Sequence, residues 1–208
     1  MDTERRRDAE RSRRRLLAGA LDEFAAKGFA GARMQDIADR AGLNKQLIHH
    51  YFGSKEGLYA ELQRTWLERE SAMADPDLPL ADLAVRYLQG VLTDPRMMRL
   101  GVWRGLSDPS EAPPDVTEGE RVDLTSMQRR QAAGELAPDL DAACALFAVM
   151  ALVAAPVALP QLARRVTGLD PASPEFAELY GAQLRLIVGH LADTPDAPDS
   201  ADTEEQQP

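Results

Sequence analysis

Asn44, Lys45, Gln46, His49 and His50 hold the side chains of this chain best suited to specific chemistry. They fall at the start of a short predicted helix that opens behind Gly42, with Asn44 placed to cap it. Amide and ammonium groups in a first helical turn can bond base edges; Gln matches adenine and Lys matches guanine. His49 and His50 are neighbours, so on a helix they point about 100° apart and cannot close on one ion from one face. No Cys, Glu or third His stands nearby at ligand spacing, so no metal site is expected. Both histidines remain able to donate to phosphate or base, or His50 is simply solvated. No phosphate-binding glycine loop, serine nucleophile motif or metal set occurs anywhere, so neither an enzyme nor a cofactor is expected.

The elements that would position these groups read clearly. Leu16, Leu17, Ala20, Leu21, Phe24 and Ala25 form one face of a first helix, which Gly28 is suited to stop. Met34, Ile37, Ala38 and Ala41 face inward from a second helix that breaks at Gly42. Leu43 and Ile48 then stand as a hydrophobic staple around the third. A fourth helix, capped by Ser54, runs through Leu58, Leu62 and Trp66 to about Met73. A helix, a tight break and a second helix with polar residues at its start form a helix-turn-helix, built to lay the second helix in a major groove.

The run resembles the DNA-binding motif of the tetracycline-repressor (TetR) family. Gly28-Phe29, Asp36-Ile37-Ala38, Ala41-Gly42 and above all Tyr51-Phe52-Gly53-Ser54-Lys55-Glu56-Gly57-Leu58 carry the resemblance. It implies phosphate contacts at Tyr51 and Lys55, although Tyr51 also reads as a core residue. Two positions depart from the family pattern. His49 stands where a Tyr is common, and Ala32-Arg33 stand where a Thr or Ser usually caps the second helix and touches phosphate. Ala32 cannot cap; Arg33 offers a longer, charged replacement for the phosphate contact. Arg33 and Gln35 complete the expected DNA-facing set.

Charge agrees with a DNA-facing front end. The net charge of −10 divides into 14 Lys+Arg against 12 Asp+Glu over residues 1–70, which is +2, and 10 against 22 over residues 71–208, which is −12. Only the front can approach phosphate without strong repulsion. Residues 1–15 hold seven arginines and four acids. They form either an arm on DNA or a solvated tail.

The rest reads as helices: about 79–94, 96–106, a polar one over 118–134, and a long apolar one over 139–167. Residues 107–117 are a Pro-rich loop. A last helix is capped by Ser173 with Pro174 in its first turn and ends near Ala192. Residues 193–208 are acidic and Pro-rich and are expected to be disordered. The uncharged run 142–160 is long enough for a membrane span. Its alanines, Pro156 and Pro160, and the flanking acids and arginines favour a buried helix instead, at a dimer interface. Cys144 lies in that run and reads as a buried small hydrophobe. The N-terminus is Arg-rich with no apolar region behind it, so no secretory signal and a cytoplasmic location are expected.

The expected architecture is all-α. An N-terminal three-helix helix-turn-helix domain over 1–53 precedes a helical effector-binding and dimerisation domain over 54–193, then a tail over 194–208. Trp66, Met97, Met98, Trp103, Met127, Phe147 and Met150 are candidate pocket residues, set against plain core. The resemblance implies a homodimer through the last two long helices, double-stranded DNA with a palindromic operator as partner, and a small-molecule effector of unknown identity. It implies a repressor released by that effector, with the fourth helix as lever. The rival readings are a ligand-independent DNA-binding protein and a helical interaction protein that has lost DNA binding.

Overall fold

Gly28 takes φ 69° and ψ 175° in the computed structural model, which describes residues 2–107 and 122–192. That backbone breaks helix α1 (Asp2–Gly31) one turn before its end. Residues 2–15, open between DNA arm and solvated tail, continue α1 as helix. Helix α2 (Met34–Ala41) has Arg33, which has no side-chain acceptor, at its N-cap and so no side-chain cap, and it buries Ile37, Ala38 and Ala41. Gly42 ends it at φ 60°, ψ 41°, its N–H donating to the carbonyls of Ala38 and Asp39. Helix α3 (Gln46–Phe52) follows at once. Ser54 Oγ accepts from Gly57 N at 3.2 Å and caps α4 (Lys55–Met73). A Cβ at Gly57 would overlap the Phe52 carbonyl, so glycine is what lets α4 start directly beneath α3.

These four helices close one core around Leu16, Ala20, Phe24, Ile37, Ile48 and Leu58. Phe24, Phe29 and Tyr59 interlock at ring separations of 5.3–5.7 Å, tying the end of α1 to α4. The same core takes Leu62 from the middle of α4 and Leu100 from α6 (Arg96–Leu106). It therefore extends past residue 53 and draws on a helix that begins only at Arg96.

A second core joins α5 (Leu80–Thr93), α7 (Thr125–Ala132), α8 (Ala142–Ala158) and α10 (Pro174–Gly189). Helix α5 packs on both α8 and α10. Asp141 and Ser173 cap α8 and α10, accepting from Cys144 N at 2.9 Å and Phe176 N at 3.2 Å. Tyr180 Oη donates to the Leu152 carbonyl at 2.8 Å and so pins α10 to α8. A 3-10 turn at His190–Ala192 ends the described chain.

The apolar helix expected over 139–167 is two helices. Helix α8 stops at Ala158, and α9 (Pro160–Thr167) leaves it at 89°. Pro160 lacks the N–H that a continuous helix needs, and its ring holds Leu159 out of helical geometry, at φ −129°, ψ 53°. No single helix is long and apolar enough to cross a membrane among the described residues. Cys144 is exposed rather than buried, because α8 turns it to the face opposite Ala145, Val149 and Val153. The polar helix is shorter than expected: residues 122–124 are not helical, and 118–121 lie outside the described residues. The Pro-rich loop beyond Ser107 and the expected disordered tail also lie outside them. Among the described residues the chain is all-α, without a strand.

Candidate nucleic-acid interface and effector cavity

Helix α3 has two unlike faces. Ile48 is fully buried and Leu47, Tyr51 and Phe52 pack against the first core. Lys45, Gln46, His49 and His50 are exposed, with Lys45/His49 and Gln46/His50 each paired one turn apart. The outward face is thus wholly polar. Asn44 Oδ1 accepts from Gln46 N at 2.8 Å and so braces the turn into α3, whose N-cap position is taken by Lys45 without a side-chain cap bond. The Asn44 amide nitrogen is a donor on an exposed residue. His49 Nδ1 donates to the Gly53 carbonyl at 3.0 Å, which fixes the ring and leaves Nε2 outward.

Helix α2 contributes exposed Arg33, whose carbonyl accepts from Ile37 N at 3.1 Å, and exposed Gln35, which donates to Asp39 at 2.9 Å. A charge network sets the pose of α2 on α1. Glu23 is fully buried between the two helices, with Lys27 at 2.5 Å and Arg40 at 2.7 Å. Lys27 also holds Asp36 at 2.9 Å. The bonds to Glu23 and then Asp36 push the Lys27 ammonium up from its usual pKa. Sequence reasoning missed Glu23; its i, i+4 spacing to Lys27 was the available signal.

Lys55 is half-buried. Its Nζ sits 4.6 Å from the centre of the Phe29 ring and 3.4 Å from the Ala30 carbonyl. Burial lowers its pKa, against the opposing pull of Glu56. Tyr51 is half-buried at the edge of the core, with His50 edge-on at 5.0 Å. Arg13 reaches from α1 to pair with Glu61 and lies over the Phe52 ring at 5.5 Å.

The body holds a cavity of about 250 Å³. Trp66 and Glu70 line it from one face of α4, and Ala74 from just past its end. Helix α5 adds Leu80, Leu83, Ala84, Tyr87 and Val91, α6 adds Met98, and α8 adds Leu146, Val149, Met150 and Val153. Asp123, Ser126, Met127 and Arg130 close the remaining side. Of the candidate pocket residues, Trp66, Met98, Met127 and Met150 meet here. Met97 instead packs into the first core. Trp103 lies along α1 over Gly28 and donates from Nε1 to the Ala25 carbonyl at 3.3 Å. Phe147 points outward, 75% exposed. Helical phase separates them: α6 turns Met97 and Trp103 toward α1, and α8 turns Phe147 away from α5. Sequence reasoning missed Glu70 and Tyr87. The i, i+4 spacing of Trp66 and Glu70 was the signal for the first, and nothing local marked the second.

Among the described residues no group of His, Cys, Asp and Glu is arranged to hold a metal ion. The family model for bacterial regulatory proteins of the tetR family matches residues 16–62, and that for the tetracyclin repressor-like C-terminal domain matches residues 79–178. The chain is 32% identical over 167 residues to the HTH-type transcriptional repressor SCO4008 of Streptomyces coelicolor, which covers 78% of this chain and 86% of that protein. It is 37% identical over 81 residues to the HTH-type transcriptional regulator RutR of Escherichia coli, over 37% of this chain and 38% of that protein. The solved structure of the transcriptional regulator SCO4942 from Streptomyces coelicolor superposes with a TM-score of 0.67 at 30% identity, covering 86% of this chain and 97% of that one. Salmonella enterica GusR shares the fold, with a TM-score of 0.63 at 23% identity over 87% of this chain and 95% of that one.

Proposed function

The chain belongs to the TetR family of bacterial regulatory proteins, and from that premise we propose that it is a repressor released from a palindromic operator by a small molecule. It is a DNA-binding transcriptional regulator, not an enzyme. The polar outer face of α3 carries the reading. Lys45 and Gln46 contact base edges; His49, His50, Tyr51, Arg33, Gln35 and the amide of Asn44 supply further base or phosphate contacts. Lys55 contacts phosphate after leaving the Phe29 ring. The division between the DNA-binding and effector-binding parts lies within α4, since its first half packs in one core and its second half lines the cavity.

The protein acts as a homodimer through α8 and α10. Phe147 on α8, and Leu179, Leu186 and Ile187 on α10, leave an apolar outer face that a second copy covers. Two-fold symmetry then requires two half-sites, one helical turn or more apart. An effector filling the cavity acts through two connections to the recognition helices. Helix α4 runs from α3 into the cavity wall. Helix α6 places Met98 in the cavity and Met97 in the DNA-side core, with Arg96 bonded to Asp22 of α1 at 2.7 Å. A ligand that fits only the arrangement with misplaced recognition helices lowers operator affinity by its difference in affinity for the two arrangements.

Selection of bound fragments from the source genome tests this reading. Enrichment of a short inverted repeat is the expected result; even recovery of all fragments sinks it.

A further inference from the structure

The cavity is mostly apolar, yet its charges are not balanced. Arg130, 2% exposed, is the one basic lining residue among the described residues. Its guanidinium is already occupied: Nη1 donates to both carboxylate oxygens of Glu135, at 3.1 and 2.9 Å, and Nη2 to the Asp75 carbonyl at 3.2 Å. Glu135 in turn accepts from Leu80 N at 2.6 Å. This pair is neutral and offers an anion nothing.

Glu70 is different. It lines the cavity from α4 and is approached by the Trp66 indole one turn earlier. Among the described residues no Lys or Arg forms an ion pair with it. Burial pushes its carboxyl up from the usual range, the Trp66 bond opposing, so its charged form is costly in the empty cavity. It also pushes the nearby Tyr87 hydroxyl further up, beyond the effect of burial. Asp123 is the second acid of the lining and accepts from the Thr125 N–H and hydroxyl of its own turn. A second hollow of about 340 Å³ adjoins here, sharing Ala74, Leu83, Asp123 and Ser126 with the cavity. Its own cation, Arg129, is bonded to the Pro76 carbonyl at 3.0 Å. Beyond the site, the −12 of residues 71–208 draws cations toward this half.

Resting on the reading of this cavity as an effector site, we propose that its ligand is a small organic cation with an apolar or aromatic body. The positive charge sits between Glu70 and the Trp66 ring, and the body packs on Met98, Met127 and Val149. An entering cation supplies the counter-charge that no Lys or Arg among the described residues gives Glu70, and the indole face adds its own attraction. A neutral ligand of the same shape gives the Glu70 carboxylate no counter-charge, and an anion is repelled by it.

Calorimetric titration of the full-chain protein with three matched probes tests this. Benzyltrimethylammonium, its neutral carbon isostere neopentylbenzene and the anion phenylmethanesulfonate differ in charge and little in shape. The cation is expected to bind roughly tenfold or more tightly than the neutral probe, and the anion not at all. Glu70→Gln, which preserves shape, is expected to erase the preference of cation over neutral probe. Asp123→Asn, at the exposed rim, is expected to weaken the cation by a few-fold. Neutral or anionic probes binding as well as the cation would overturn the proposal. So would a Glu70→Gln variant that keeps the full preference, or a cation that fails to bind at millimolar concentration. Calorimetry uses no DNA, so these outcomes judge the cavity alone; the regulator reading stands or falls with the fragment selection.

Discussion

Phe24 and Phe147 sit on the two halves of the molecule in opposite conditions. Phe24 is fully buried, stacked on Phe29 and edge-on to Tyr59. Phe147 is 75% exposed beside the other outward apolar side chains of α8 and α10. The DNA-side half is closed: its core is filled, its buried Glu23 has two cations, and what it shows to solvent on α3 is polar. The body differs in two respects: α8 and α10 carry an exposed apolar outer face, and the cavity holds Glu70, with which no Lys or Arg among the described residues forms an ion pair. In the proposed ligand-operated dimer, the cavity and the outer apolar face are the parts that a ligand and a second copy would change.

Core truncation is the strongest way to separate the two halves. Phe24→Ala is expected to lower stability by about 3–5 kcal/mol, read by chemical denaturation, without changing subunit number. Phe147→Ala is expected to leave the single chain's fold intact and weaken self-association. Next in size, Ala151→Glu puts a charge on the exposed face of α8, where a second copy would bury it unpaired. Sedimentation is expected to show monomers; a stable dimer would remove α8 from the interface. Gln46→Ala is expected to relax preference at one operator base pair by about 1–3 kcal/mol, visible as a flattened position in selected sites.

Smaller effects test the borders. Lys55→Ala is expected to weaken binding to all sequences and reduce the salt slope by about one unit. An unchanged slope would assign Lys55 wholly to the Phe29 ring. The smallest concerns the joint between α5, α6 and α1. Arg96 bonds Asp94 at 2.6 Å and Asp22 at 2.7 Å, and this holds the Asp94 carboxyl below its usual pKa. The resulting stability is full above the unfolded Asp value of about 3.9 and is lost as pH falls through the lower folded value. Acid titration of Asp94→Asn is therefore expected to show a shallower loss of stability than the parent.

Local signals of this fold were legible in the sequence, and assembly was not. Gly42, Ser54, Ser173 and Pro174 act where their types placed them, because caps depend on neighbours within four residues. The break at Pro160 was equally local; the unbroken apolar composition around it masked it. Met97 and Met98 show the limit. Adjacent on α6, they reach different cores, and only the partners of α6 decide which goes where. Cys144 and Phe147 show it again, since an apolar run does not reveal which of its faces the single chain buries. The exposed polar face of α3 was readable from its own residues, whereas Glu70 lines a cavity only because α5, α7 and α8 close around it.

The central claim is that α3 reads DNA sequence. Its most direct test is the affinity ratio between a selected operator and a scrambled duplex at fixed salt, for the parent and the Lys45→Ala/Gln46→Ala variant. Two base-reading side chains at about 1–3 kcal/mol each predict that the ratio falls by roughly a hundredfold while nonspecific binding changes little. A ratio that stays the same would contradict the account.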